Sequence, residues 1–105
     1  MYERISKLTI GNGDAAGLIQ RIQSDLSALI EGAAGFIAYT VVKVDDQTVV
    51  SVRLFRDSGS MDAEAQSNLA ITQAITNDFQ LTNEAVVDGE TNIGIANVLT
   101  EEFQP

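Results

Sequence analysis

Apolar and polar positions along the chain divide it into stretches of alternating strand-like and helix-like period. Arg4 to Ile10 mixes β-branched with polar residues and stops at Gly11-Asn12-Gly13, a strong chain breaker. Asp14 follows as a helix N-cap or first-turn acid. From there Leu18, Ile22, Leu26, Leu29 and Ile30 recur at helical spacing. With Ile19 they fall within a stripe of roughly 120° on a wheel of about 100° per residue, and no polar residue interrupts it. Gly32 is the expected helix stop, and Gly35 opens the next element.

Phe36 to Val44 and Thr48 to Phe55 are rich in Val, Ile, Phe and Tyr and carry the best strand pattern in the chain. Asp45-Asp46 between them reads as a two-residue hairpin turn. That register places Ile37, Tyr39, Val41, Val50, Val52 and Leu54 on one face, taken to lie towards the helices. Phe36, Ala38, Thr40, Val42, Val49, Ser51, Arg53 and Phe55 then share the other. Both faces are apolar, whereas a sheet covered on one side only alternates cleanly between apolar and polar. A second layer must cover the other face, and at this length a second copy of the chain is expected to supply it.

Asp57-Ser58-Gly59-Ser60 breaks the second strand and offers Ser58 or Ser60 as a cap. Met61 to Phe79 then reads as one helix, with Asp62 and Glu64 in its first turn complementing the dipole. Strand character returns after Asn83 with Val86-Val87, the turn-like Asp88-Gly89, and Ile93 to Leu99, where the alternation slips as at a bulge. Thr100 to Pro105 is polar and expected to fray. The element order is β-α-β-β-α-β, that of a ferredoxin-like α+β domain with an antiparallel sheet and both helices on one face.

Composition narrows the chemistry. The 105 residues suit a single domain, 1–105, and contain His 0, Cys 0 and Trp 0. Zinc fingers, iron–sulfur clusters, redox dithiols and Ser-His-Asp triads need residues this chain lacks. A formal charge of −9 argues against nucleic acid and against an anionic membrane surface. No stretch opens as an apolar signal or approaches a membrane span, so a cytoplasmic protein is expected. Gly11-Asn12-Gly13 lacks the third glycine of a dinucleotide fingerprint and the Lys-Ser/Thr of a phosphate loop.

Four features together carry a family resemblance: the short first strand, the apolar-striped helix, the Gly35-Phe36 entry into a valine-rich hairpin, and the Phe55-Arg56-Asp57 exit into an Ala- and Asn-bearing helix. From about Tyr2 to Val98 the chain resembles the antibiotic-biosynthesis-monooxygenase-like (ABM-like) proteins of the dimeric α+β barrel superfamily. The resemblance implies a homodimeric α+β barrel in which two sheets pack face to face. It also implies a small apolar or aromatic ligand between helices and sheet, with cofactor-independent oxygenation of aromatic polyketides as one activity of the family. The family's haem-degrading members bind iron through a histidine, and this chain has none. Members that oxidise aromatics use Tyr, Trp, Asn and Arg side chains, of which Trp is missing here.

Tyr39 and Asn68 are the candidate catalytic residues. The Tyr39 hydroxyl, on the helix-facing side, would bind or protonate a phenolic substrate or stabilise an oxyanion. The simpler reading is a core tyrosine with its hydroxyl satisfied at an edge. Leu69, Ile71, Ile75 and Phe79 define the sheet-facing side of the second long helix, with Asn68 and Thr72 near its middle. Asn68 would bond a ligand carbonyl and Thr72 would help bind it; alternatively, Thr72 bonds back to the Asn68 carbonyl and Asn68 reaches solvent. Arg53 is a candidate anion clamp inside the barrel, or else an inter-subunit ion pair. Arg56 beside Asp57 reads as a surface pair.

No cofactor is expected, because the chain supplies no convincing ligand set and no flavin motif. The alternative function is a non-catalytic sensing or structural dimer module. Asp14-Ala15-Ala16-Gly17-Leu18 resembles the loop entering the first helix of ACT-type regulatory domains, though without their proline. A ligand near Asp14 and Gly17 would favour the sensor; one against Tyr39 and Asn68 would favour the ABM-like reading.

Overall fold

Backbone hydrogen bonds that a strand cannot satisfy within itself are met here by one four-stranded antiparallel sheet. The computed structural model describes residues 1–91. Its elements run β1 (Tyr2–Ile10), α1 (Ala15–Asp25), α2 (Ser27–Glu31), β2 (Phe36–Asp45), β3 (Thr48–Phe55), α3 (Ser58–Ser67), α4 (Leu69–Phe79) and β4 (Leu81–Glu90). Strand order is β2-β3-β1-β4, so β1 pairs with both β3 and β4 as the ferredoxin-like fold requires. The expected Ile93–Leu99 strand and the polar tail lie outside the described residues. Among the described residues, no helix is long and apolar enough to cross a membrane.

The apolar stripe of the first helix packs as its spacing predicts. Ala15, Leu18, Ile22, Leu26 and Ile30 are buried against Val49, Phe55, Met61 and Ile75. Asp14 caps the helix by accepting from the Gly17 N–H at 2.9 Å. The stripe is nevertheless two helices, broken at Leu26. The Ser27 hydroxyl donates to the carbonyls of Ile22 and Gln23, competing with the helical ladder there. The break turns Leu29 outward to 43% exposure, against the expectation that it joins the core.

The second long helix is likewise two, meeting at Asn68. Leu69, expected towards the sheet, is 45% exposed, while Ile75 is buried and Ile71 and Phe79 partly so. The N-cap is Asp57, not Ser58 or Ser60: its carboxylate accepts from the Ser60 N–H at 2.7 Å. The helix therefore starts at Ser58, and Asp62 and Glu64 lie beyond its first turn.

The hairpin register differs from expectation by one step. Asp45 stays in the strand and its carboxylate accepts from the Gln47 N–H at 2.9 Å, so the turn falls on Asp46-Gln47. Tyr39 is then opposite Arg53 and Val41 opposite Ser51, with bulges near both ends of the ladder. A one-residue slip exchanges the faces of a strand. Tyr39 remains towards the helices, but Val49, Ser51, Arg53 and Phe55 of β3 lie there with it, not on the outer face. Phe36 also packs edge-on against Phe55, with ring centroids 5.9 Å apart. Asp88-Gly89 is part of β4 instead of a turn, and the β1–β4 ladder slips between Ile5 and Ser6, leaving Val86 as the extra residue.

The outer face carries Ile5, Val42, Val50, Val52, Leu54 and Val87, as the ladders set them opposite one another. Val42 and Val87 are 48% and 45% exposed. An apolar outer face thus exists, as the strand composition indicates, although its residues are largely not the expected ones.

Gly35 ends the α2–β2 connection at φ 80°, and a Cβ there would lie 2.6 Å from the Ser60 hydroxyl oxygen. Left-handed backbone and a close approach coincide at this residue. Gly35→Ala is expected to lower the unfolding free energy by roughly 1–3 kcal/mol. A urea titration with an unchanged midpoint would show that the turn relaxes without cost.

Candidate functional site

The register brings inward-facing side chains of the sheet into tiers. Arg4 of β1 is opposite Arg53 of β3, which in turn faces Tyr39 of β2. One tier on, Ser6 is opposite Ser51, and beyond them Leu8 is opposite Val49 on one side and Asn83 on the other. Serines are too small to fill the gap between sheet and helices. A partly open cavity of about 220 Å³ lies above them. Its roof is apolar for the most part, formed by Ile22 and Leu26 from the first helical layer and by Ile75 from α4. Typical ligand pockets hold about 300–1,000 Å³, so this one suits a compact molecule.

Arg53 is held from above. Its Nη1 donates to Glu64 Oε1 of α3 at 2.7 Å, with the two side chains 16% and 0% exposed. The other carboxylate oxygen, Oε2, accepts from Asn68 Nδ2 at 2.9 Å. The pair keeps the guanidinium carbon 5.5 Å from the centre of the Tyr39 ring, within cation–π range. Burial pushes the Tyr39 phenol above its ordinary value of 10.0, with Arg53 pulling down and Glu64 adding to the rise. At neutral pH the Tyr39 hydroxyl therefore holds its proton and is available to donate it.

Of the four residues expected at the site, Tyr39, Arg53 and Thr72 line the cavity. Arg53 does so inside its own subunit with Glu64, not across a subunit interface. Asn68 does not line it. Its amide is engaged behind Glu64, and it borders a separate surface depression with Leu29, Ala33 and Ala63. Asn68 is thus placed behind Glu64, outside the lining of this cavity. Thr72 Oγ1 donates to the Asn68 carbonyl at 3.1 Å while still facing the cavity.

Sequence reasoning missed Glu64, Arg4, Ser6 and Asn83. A signal for Glu64 was present: Met61, Glu64, Asn68 and Ile75 recur at 3, 4 and 7 positions, placing the acid on the buried stripe. A carboxylate there needs a partner, and the strand beneath carries Arg53. Nothing in the local pattern marks Arg4 or Ser6, whose role follows from their pairing with β3. Arg56 does sit beside Asp57, at 3.9 Å on the surface. Among the described residues, no three His, Cys, Asp or Glu side chains are placed to hold a metal ion.

The loop entering α1 is occupied by the chain itself. The Asp14 carboxylate is taken by the Gly17 N–H, and a Cβ at Gly13 would meet the Phe79 ring at 3.2 Å.

By fold, then, the protein is a ferredoxin-like α+β domain with a cavity between its helical layer and its sheet. It has the fold of the ABM-like proteins. It is similar to SnoaB, a cofactor-independent oxygenase from Streptomyces nogalater, with a TM-score of 0.74 and 13% identity over 90% of this chain and 95% of that one. It is also similar to a monooxygenase from the gene ActVA-Orf6 of Streptomyces coelicolor, solved with the ligand nanaomycin D (TM-score 0.68, 14% identity, 89% of this chain and 90% of that one). A third similar structure is NE2512 of Nitrosomonas europaea, a protein of unknown function (TM-score 0.61, 16% identity, 89% and 95% covered). By sequence, no protein-family model and no curated protein matches the chain. Identities this low speak for the fold and leave the activity to the site.

The Tyr39 environment can be read directly. With Tyr2→Phe as background, the remaining phenol should ionise above 10.0 in an ultraviolet absorbance titration. Adding Arg53→Gln with Glu64→Gln should move it higher still, because Arg53's downward pull outweighs the smaller upward effect of Glu64. A downward shift in the triple variant would refute this account of the site.

Proposed function

We propose that this protein binds a small apolar or aromatic molecule in the cavity between helices and sheet and oxygenates it without a cofactor. The observation that carries the reading is the pairing, in one cavity wall, of a proton-holding Tyr39 with the Arg53 guanidinium beneath an apolar roof. An anthrone-like substrate, with a methylene beside a carbonyl, supplies its own electrons. Its C–H proton leaves to water, and the resulting enolate oxygen accepts hydrogen bonds from the Tyr39 O–H and Arg53 N–H. One electron passes to dioxygen, and recombination of superoxide with the substrate radical forms the new C–O bond. The peroxide takes a proton, for which Tyr39 is the donor, and solvent reprotonates the phenolate. Loss of the second C–H proton with cleavage of the O–O bond leaves a carbonyl and water. The net change is CH2 + O2 → C=O + H2O.

In this scheme Asn68 is a positioning residue, Thr72 a ligand-binding group on the roof and Arg53 the oxyanion clamp. The similarity of fold to a cofactor-independent oxygenase supports the reading. With dithranol as substrate, oxygen uptake above the uncatalysed rate is expected, falling roughly 100-fold or more in Tyr39→Phe. Uptake at the background rate would defeat the enzymatic claim.

The assembly we propose is a homodimer that closes a barrel through the outer sheet face. Its support is the apolar row Ile5, Val42, Val50, Val52 and Leu54 on the sheet face turned away from the helices. Association must also outweigh the repulsion of two chains that each carry −9. Sedimentation at micromolar concentration should show a dimer, and Val52→Lys should shift it to monomer with the fold intact. A wild-type monomer would remove the barrel.

A further inference from the structure

The cavity is electrostatically unlike the molecule that contains it. The chain has 15 acidic residues against 6 basic ones, yet among the described residues two arginines and no acid line the cavity. Both arginines lie in one tier at one end, since Arg4 and Arg53 are cross-strand partners. The opposite end carries the apolar side chains Leu8, Leu81 and Ile75, with Asn83 beside Leu8. Ser6 and Ser51 form the floor between the two ends.

The acids that balance these arginines lie outside the cavity wall. Glu64 takes one N–H of Arg53 from above, and a guanidinium has five. Arg4 reaches Asp62 and Asp88 only at 3.5 and 3.4 Å, longer than the roughly 2.7–2.9 Å of a strong charge-assisted bond. Those two carboxylates are exposed and screened by water, whereas a group inside the cavity would meet the guanidinium donors in a drier medium.

We propose that the ligand is an amphipathic anion: a compact aromatic carboxylate whose charged end sits between Arg4 and Arg53 and whose ring lies against Leu8, Leu81 and Ile75. This deepens the reading of the cavity as a small-molecule site and rests on it. A planar carboxylate matches the fork of a guanidinium, and two such forks at one end orient the ligand along the cavity. The arrangement selects for charge as well as shape, since a neutral amide of the same outline would leave cationic donors poorly paired.

Calorimetric titration with 2-naphthoate and its neutral isostere 2-naphthamide tests this. The wild-type protein should bind the carboxylate about tenfold or more tightly than the amide. Arg4→Gln should weaken the carboxylate far more than the amide and so erase most of that preference. Arg53→Gln alone would strand the buried Glu64, so the second variant is Arg53→Gln with Glu64→Gln, for which the same loss is expected. Equal affinity for the two probes in the wild type, or a preference that survives both variants, overturns the anion assignment and leaves the cavity as a ligand site. Failure of both probes to bind overturns that reading of the cavity as well.

Discussion

The buried contact between Arg53 and Glu64 joins the two layers of this domain and sets what the space between them can do. A carboxylate with no exposure is costly on a helix unless a cation meets it. Here the cation rises from the sheet, and the second carboxylate oxygen is satisfied by Asn68 one turn along. Each of the three groups has a fixed partner, so α3 is pinned above β3 at this point. The break between α3 and α4 falls at Asn68 itself. Removing one member of such a pair typically costs about 3–5 kcal/mol, because the other is left charged and dry.

The same contact divides the interior into a packed part and an open part. On either side of it along β3, Val49 and Phe55 are fully buried, as are Leu18, Ile30 and Met61 above the sheet, and this packing holds the sheet and helices together. Above the serine tier the layers cannot close, since Ser6 and Ser51 are short and Arg53 is drawn up towards Glu64. The cavity is thus a consequence of small residues on the sheet beside a charged group that must reach the helix. Its wall then holds a protonated phenol, guanidinium donors and apolar surface together, the combination that oxyanion chemistry in a dry site requires.

Much of the fold was legible in the chain, and the reasons are local. The stripe from Leu18 to Ile30, the Asp14 cap and the valine-rich hairpin each follow from periodicity and capping chemistry within a few residues. The errors have local causes too, but weaker ones. Asp45 and Asp46 are equally plausible turn residues, and the choice between them rests on one side-chain bond to the Gln47 N–H. That bond moved Ser51 and Arg53 from the outer face to the cavity. The breaks at Leu26 and Asn68 likewise turned Leu29 and Leu69 away from stripes that an unbroken helix would have given them.

Element order, the apolar stripes and the absence of histidine, cysteine and tryptophan belong to the chain by itself. They determine a ferredoxin-like α+β domain and remove most metal and thiol chemistry. Tyr39 could be placed towards the helices on the same basis, because its strand alternates. Only the tertiary structure decided that Arg53 lies beneath Glu64 and beside Tyr39, that Arg4 shares its tier, and that Asn68 stands behind them. The physical reason is that side-chain period in a strand is two, so a register set by one side-chain bond in the turn decides the face of every residue that follows.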